Sequence, residues 1–142
     1  MITRLIPNRN QVGEVTAFFA PTFAENQNHA HAAVKAGEEI LTAPDHDGAD
    51  KPWVPVGVGI HTGVAYVGAV GQPGKNIDIA VLGDNVNIAS RLAGQAKAGE
   101  IVLSDDTRRK AGLDNSDLEF RSLTLKGKGD PIDTWIYRSG AG

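Results

Sequence analysis

An amide and a guanidinium one helical turn apart, Asn87 and Arg91, are the side chains of this sequence best suited to chemistry. They lie in "GDNVNIASRL", Gly83 to Leu92. Residues four apart on an α-helix project side by side. An amide beside a guanidinium can hold phosphate oxygens and a neighbouring hydroxyl at the same time. On a helical wheel Val86, Ile88, Ala89, Leu92, Ala93 and Ala96 share an arc that predicts a core face, while Asp84, Asn87 and Arg91 fall opposite. Taken alone, such a pair is most often a solvated helix exterior. Its neighbours must decide.

The elements that position this helix can be read from pattern. The 142 residues suit one domain with a single core. Residues 1–10 carry no clear pattern. "VGEVTAFFA", Val12 to Ala20, reads as a strand stopped by Pro21. Asn26 or Asn28 can cap a helix whose stripe is Ala30, Ala33, Val34, Gly37 and Leu41, ended by Pro44. Ala43 to Pro52 is polar, acidic and rich in turn formers, a surface loop.

"WVPVGVGIHTG" is a strand, and "GVAYVGAVG" follows directly, which predicts a hairpin turning near Thr62-Gly63. "GQPGKN" separates it from the strand "IDIAVL", and Gly83-Asp84 opens a helix running to about Ala98. Short strands follow at "EIVLS" and "LEFRSLTL", with a small helix between them capped by Ser104. Pro131 precedes the last strand, "DTWIYR". Helices and strands mix without strict βαβ alternation. That favours an α+β sandwich with helices packed on a largely antiparallel sheet.

Composition narrows the function classes. A formal charge of -3 with no basic stripe argues against a nucleic-acid partner, as does the lack of clustered stacking aromatics on the strands. Cysteine is absent, so disulfides and thiolate metal sites are excluded and a reducing cytoplasm is the expected compartment. No apolar run approaches a membrane span. His29 and His31, two apart on a helix, do not face one metal and read as surface residues. His61, beside a turn, reads as a hydrogen-bonded structural histidine, and Trp53 and Trp135 as core or interface anchors.

Three longer segments carry a resemblance: "VGVGIHTGVAYVGAVG", "VLGDNVNIASRL" and "LKGKGDPIDTWIY". In order and spacing they resemble the second half of class III adenylate and guanylate cyclase domains. "VTAFFAP" and "HAHAAVKAGEEIL" are similar to the strand and helix just upstream in bacterial members. The resemblance covers about residues 12–138. It implies a ferredoxin-like sandwich, here without its first strand region, that pairs head to tail as a homodimer or with another cyclase domain. The family's sites lie in the dimer groove and are built from both partners. Asn87 would orient the ribose, and Arg91 would neutralise phosphate charge as the 3′-hydroxyl attacks the α-phosphate and pyrophosphate leaves. The nucleoside triphosphate is taken as ATP and the product as cyclic AMP, by the frequency of that substrate in the family. Lys126 of "LKGKGD" matches the loop lysine that reaches the terminal phosphates, and Lys128 has a lesser claim.

The chain departs from the family in three places. The family holds Mg²⁺ or Mn²⁺ through two aspartates, one on the first strand and one in the following hairpin. The first has no counterpart here. The second falls near Gly13-Glu14, so Glu14 is the one candidate ligand, a methylene longer than aspartate. The purine-reading lysine aligns near Asn10, with only Arg9 beside it. The second base-reading position falls on Ala80, which offers no hydrogen bond; Asp78 shares its face only if the strand is regular. These departures leave three expectations: a cyclase, a partner that donates Asn87 and Arg91 in trans, or an inert shortened fragment. Activity of the homodimer is expected to be absent or very low. A missing first strand also predicts an uncovered sheet edge and non-standard dimerisation or strand exchange.

Overall fold

The computed structural model describes residues 2–6, 15–19, 28–42, 56–125, 127 and 129–138. Its strands are β1 (Ile2–Ile6), β2 (Val15–Phe18), β3 (Gly57–His61), β4 (Tyr66–Gly71), β5 (Ile77–Leu82), β6 (Glu100–Ser104), β7 (Glu119–Leu123) and β8 (Ile132–Arg138). Its α-helices are α1 (His29–Thr42), α2 (Asp84–Gln95) and α3 (Asp105–Ala111). This is the mixed α+β class expected, mainly antiparallel with helices packed on the sheet.

The β-rich apolar runs "GVGIH" and "EIVLS" are buried along their whole length, as central strands must be. They lie side by side as a parallel pair in a sheet ordered β2-β1-β3-β6-β8-β7, whose other pairings are antiparallel. Strand side chains alternate between faces. Val58, Ile60, Ile101 and Leu103 therefore pack with Ala30, Ala33, Val34 and Leu41 of α1 and with Ala111 of α3. Val102 turns to the other face and joins Ile88 and Leu92 of α2, with Leu125 and Ile136. One helix covers one face and two cover the other.

The α1 stripe is the one the sequence displays: Ala30, Ala33, Val34, Gly37 and Leu41 are its buried residues. Asn28 caps it, its Oδ1 accepting from the His31 amide at 3.0 Å while its amide donates to the Lys110 carbonyl at 2.8 Å. That second bond ties α1 to α3. Ser104 caps α3 as expected, accepting from the Thr107 amide at 3.4 Å.

Three expectations need correction. Residues 2–6 of the patternless stretch form a strand, and β1 pairs antiparallel with β2 on one side and β3 on the other. Among the described residues the outer strands of this sheet are β2 and β7. Next, the strand after Thr62-Gly63 does not fold back on β3. β4 instead pairs with β5 as a separate two-stranded sheet, through the turn at "QPGKN". Thr62 to Ala65 form an irregular link, pinned by the Asn85 side chain, which donates to the Val64 carbonyl at 2.7 Å. Finally, α2 stops at Gln95, because Ala96 adopts an extended conformation. The strand ends at 12–14 and 20, the acidic loop and Trp53 lie outside the described residues.

The β4–β5 ribbon is apolar yet exposed, from 59% at Val70 to 81% at the adjoining Val64, with Tyr66, Val67, Ile77 and Leu82 in between. In the larger sheet a charge lattice crosses β6, β8 and β7. Glu100, nearly fully buried, accepts from Arg121 at 3.3 Å and from Arg138 at 3.1 Å, and both arginines also pair with Glu119. Thr134 donates to the Arg121 carbonyl within the same strands.

Candidate active site

α2 is set by small residues. Ala89 and Ala93 face the backbone of β3, and a Cβ at Gly59 would lie 2.1 Å from the Ala93 nitrogen. No residue but glycine permits that approach. With its inner face fixed, α2 leaves Asn87 exposed and Arg91 half-buried on the outer side, together with exposed Asp84. Among the described residues neither Asn87 nor Arg91 has a side-chain hydrogen bond or ion pair. The Arg91 guanidinium lies against the β7–β8 loop, where a side chain at Gly127 would meet it at 3.4 Å. The structure therefore brings Arg91 to the loop that carries Lys126. Lys126 and Lys128 themselves lie outside the described residues, as do Glu14, Arg9 and Asn10.

Ala80 sits in β5 opposite Gly68. The register from Ile77 to Leu82 runs without a bulge, so Asp78 and Ala80 share a strand face. Asp78 is exposed and Ala80 half-buried. A regular strand thus places the only carboxylate of β5, Asp78, two positions from Ala80.

The metal ions implied by the resemblance call for carboxylate oxygens on the family's first strand and in the hairpin that follows. β1, Ile-Thr-Arg-Leu-Ile, includes no carboxylate. Among the described residues no three histidine, aspartate or glutamate side chains converge as a metal site. The donors of this strand do not fit a hard dication.

His61 was expected to be structural, and it is buried and bonded at both nitrogens. Nδ1 lies 2.8 Å from Ser104 Oγ and Nε2 lies 2.8 Å from Asn85 Oδ1. Ser104 Oγ is 3.0 Å from Thr107 Oγ1, which also lies 3.0 Å from Thr62 Oγ1 and donates to the Ile60 carbonyl. A cleft of about 400 Å³ opens over His61, Asn85, Ser104 and Asp133. On its rim partial burial works to raise the Asp105 carboxyl, but hydrogen bonds from Trp135 Nε1 and Arg108 outweigh it and leave Asp105 below the usual range. Trp135 is the expected anchor, edge-on to Phe120 at 5.3 Å and under Arg108 at 5.0 Å. Sequence reasoning missed Asn85 and Ser104 as the partners of His61, since both contacts cross between separate elements. His29 needs a small correction: it is half-buried, its Nδ1 has no hydrogen-bond partner, and burial lowers its pKa. His31 is exposed.

The chain as a whole resembles known proteins. The family described as "Adenylate and Guanylate cyclase catalytic domain" matches residues 11–138. The chain belongs to this family. It is 35% identical over 93 residues to an adenylate cyclase of Anabaena cylindrica, and 39% identical over 75 residues to a guanylate cyclase of Toxoplasma gondii. Those matches cover 62% and 52% of the chain but only 18% and 2% of the two relatives. Among solved structures the guanylyl cyclase Cya2 superposes with a TM-score of 0.70 at 29% identity, covering 90% of this chain and 67% of that one. The adenylyl cyclase CyaB from P. aeruginosa gives 0.60 at 26%, covering 90% and 69%. Both adenylate and guanylate cyclases are thus among the neighbours of this nucleotide cyclase domain. No helix among the described residues is long and apolar enough to cross a membrane.

Proposed function

We propose that this cyclase domain forms one half of a composite site that converts ATP into cyclic AMP and pyrophosphate, the other half coming from a second cyclase domain. The observation that carries the reading is Asn87 and Arg91 on the outer side of α2, without polar partners among the described residues, with Arg91 against the loop of Lys126. Phosphoryl transfer asks the protein mainly for positioning and charge neutralisation. Asn87 holds the ribose so that its 3′-oxygen lies in line with the α-phosphate. As the 3′-oxygen–phosphorus bond forms, the hydroxyl's proton passes to solvent, the bond from the α-phosphorus to the bridging oxygen breaks, and pyrophosphate departs. Arg91 neutralises the charge that develops on the α-phosphate, and Lys126 follows the terminal phosphates. ATP is favoured over GTP by family frequency, with the Anabaena adenylate cyclase in support.

The absence of a carboxylate in β1 favours a division of labour, in which the partner brings the metal ligands and this chain brings Asn87 and Arg91. The chain alone is then inactive or very slow. The test is incubation of the purified chain with ATP or GTP and Mg²⁺ or Mn²⁺, alone and mixed with a cyclase domain deprived of its own Asn/Arg pair. Cyclic nucleotide only in the mixture supports the donor reading. Efficient turnover by the chain alone removes the donor half of the proposal, and no product in either tube removes both.

A further inference from the structure

Asn85 is held in a way its position does not require. It is the second residue of α2, yet its Nδ2 donates to the Val64 carbonyl at 2.7 Å. That bond identifies its Oδ1 as the acceptor facing His61 Nε2 at 2.8 Å, so Nε2 carries the imidazole proton. In the neutral ring Nδ1 then accepts from Ser104 Oγ. The histidine thereby connects the ends of the parallel strands β3 and β6 to the first turn of α2. Its seat is deep, with 6% of the residue exposed. The fit around Asn85 is also tight, for a Cβ at Gly63 would lie 2.3 Å from its side-chain carbonyl carbon.

The tie matters because of where it meets the helix. At about 100° per residue, Asn87 projects roughly 200° and Arg91 roughly 240° around the axis from Asn85. A bond on the Asn85 flank therefore fixes the rotation that turns Asn87 and Arg91 outward. Ala89 and Ala93 hold the helix against β3, and Ile88 and Leu92 seat it in the core, but these apolar contacts are non-directional and lie beyond the first turn, where Asn85 sits. A directional hydrogen bond between two partly or fully buried groups supplies the missing constraint.

We propose that His61 and Asn85 are positioning residues for the cyclase reaction: their hydrogen bond sets the roll of α2 and so the aim of Asn87 and Arg91. The inference rests on the function proposed above, and its test separates the two. Gln places its amide nitrogen near the Nε2 position of a histidine, whereas Asn reaches only as far as Nδ1. His61→Gln keeps a donor for Asn85 and loses the bond to Ser104. His61→Asn keeps a partner for Ser104 and loses the bond to Asn85.

In the assay mixture with the complementing cyclase domain, His61→Gln is expected within about three-fold of the parent turnover. His61→Asn and Asn85→Ala are expected to fall by about ten-fold or more at unchanged KM, as misaimed transition-state groups do. Gly63→Ala, which evicts the Asn85 amide, is expected to match Asn85→Ala. Amide hydrogen exchange over residues 84–91 of the chain reads the same constraint without any reaction, faster in His61→Asn and Asn85→Ala and parental in His61→Gln.

Equal losses in the Gln and Asn variants, tracking their thermal midpoints, overturn the proposal, as does parental turnover in Asn85→Ala. If His61→Asn does not fold, Asn85→Ala and Gly63→Ala decide alone. If no mixture yields cyclic nucleotide, the function falls while the exchange contrast still settles the tie.

Discussion

The Arg91 guanidinium rests beside Gly127 and Asn87 stands exposed, neither with a polar partner among the described residues. Side chains so placed contribute little to folding, and truncating them should change stability by less than about 0.5 kcal/mol. Their value lies in what they meet. Arg91→Ala is expected to lower turnover of the complemented site by about 10²–10³-fold, and Asn87→Ala by about 10²-fold, with thermal midpoints unchanged. Turnover equal to the parent in both would show that the pair does nothing. Arg91→Lys restores the charge without the planar fork and should recover only part of the loss. The Asn87/Arg91 spacing was legible in sequence because a helix repeats locally. His61 was legible only as structural, because Asn85 and Ser104 come to it from other elements. Gly127 could be placed beside Arg91 only once the β7–β8 loop was folded.

Among the elements, α2 on β3 is the contact with least slack. Gly59→Ala places a methyl group against the Ala93 backbone and should destabilise the chain by about 3 kcal/mol, read from urea unfolding. The lattice of β6, β7 and β8 gives a pH signature. Burial alone would raise the Glu100 carboxyl, but hydrogen bonds from Arg121 and the Lys97 amide, with the charges of Arg121 and Arg138, hold it below its ordinary value. A depressed carboxyl contributes stability that is complete above the unfolded-state glutamate value, about 4.3, and drains as pH falls below it towards the folded value. Glu100→Gln is expected to cost about 2 kcal/mol at pH 7 and to flatten that acid limb in unfolding measured from pH 6 to pH 3. A limb as steep as the parent's would assign it elsewhere.

The α1 stripe and the caps at Asn28 and Ser104 could be read from sequence, because each rests on residues three or four apart. The pairing of β4 could not. An apolar segment following a strand suggests a hairpin with that strand, but the link from Thr62 to Ala65 is captured by Asn85 from a helix not yet formed in the reading. β1 was missed for another reason: five residues without clean alternation, "ITRLI", carry too little pattern to announce a strand.

For the whole molecule, the exposed ribbon of Tyr66, Val67, Val70, Ile77 and Leu82 is where a second cyclase domain is expected to sit. Uncovered apolar surface of this kind is uncommon on a chain that works alone. Val67→Glu with Ile77→Glu is expected to weaken association by at least ten-fold in sedimentation, while the six-stranded core melts at the parental temperature. Association unchanged by both charges would move the interface elsewhere.

Among the described residues that ribbon belongs to no larger sheet. Two strands by themselves are marginal in water, so whatever settles on them also helps to hold them in register. Calorimetric titration with a partner domain should therefore return a heat-capacity change more negative than the docked area alone accounts for, the thermal mark of a surface that finishes folding as it is covered.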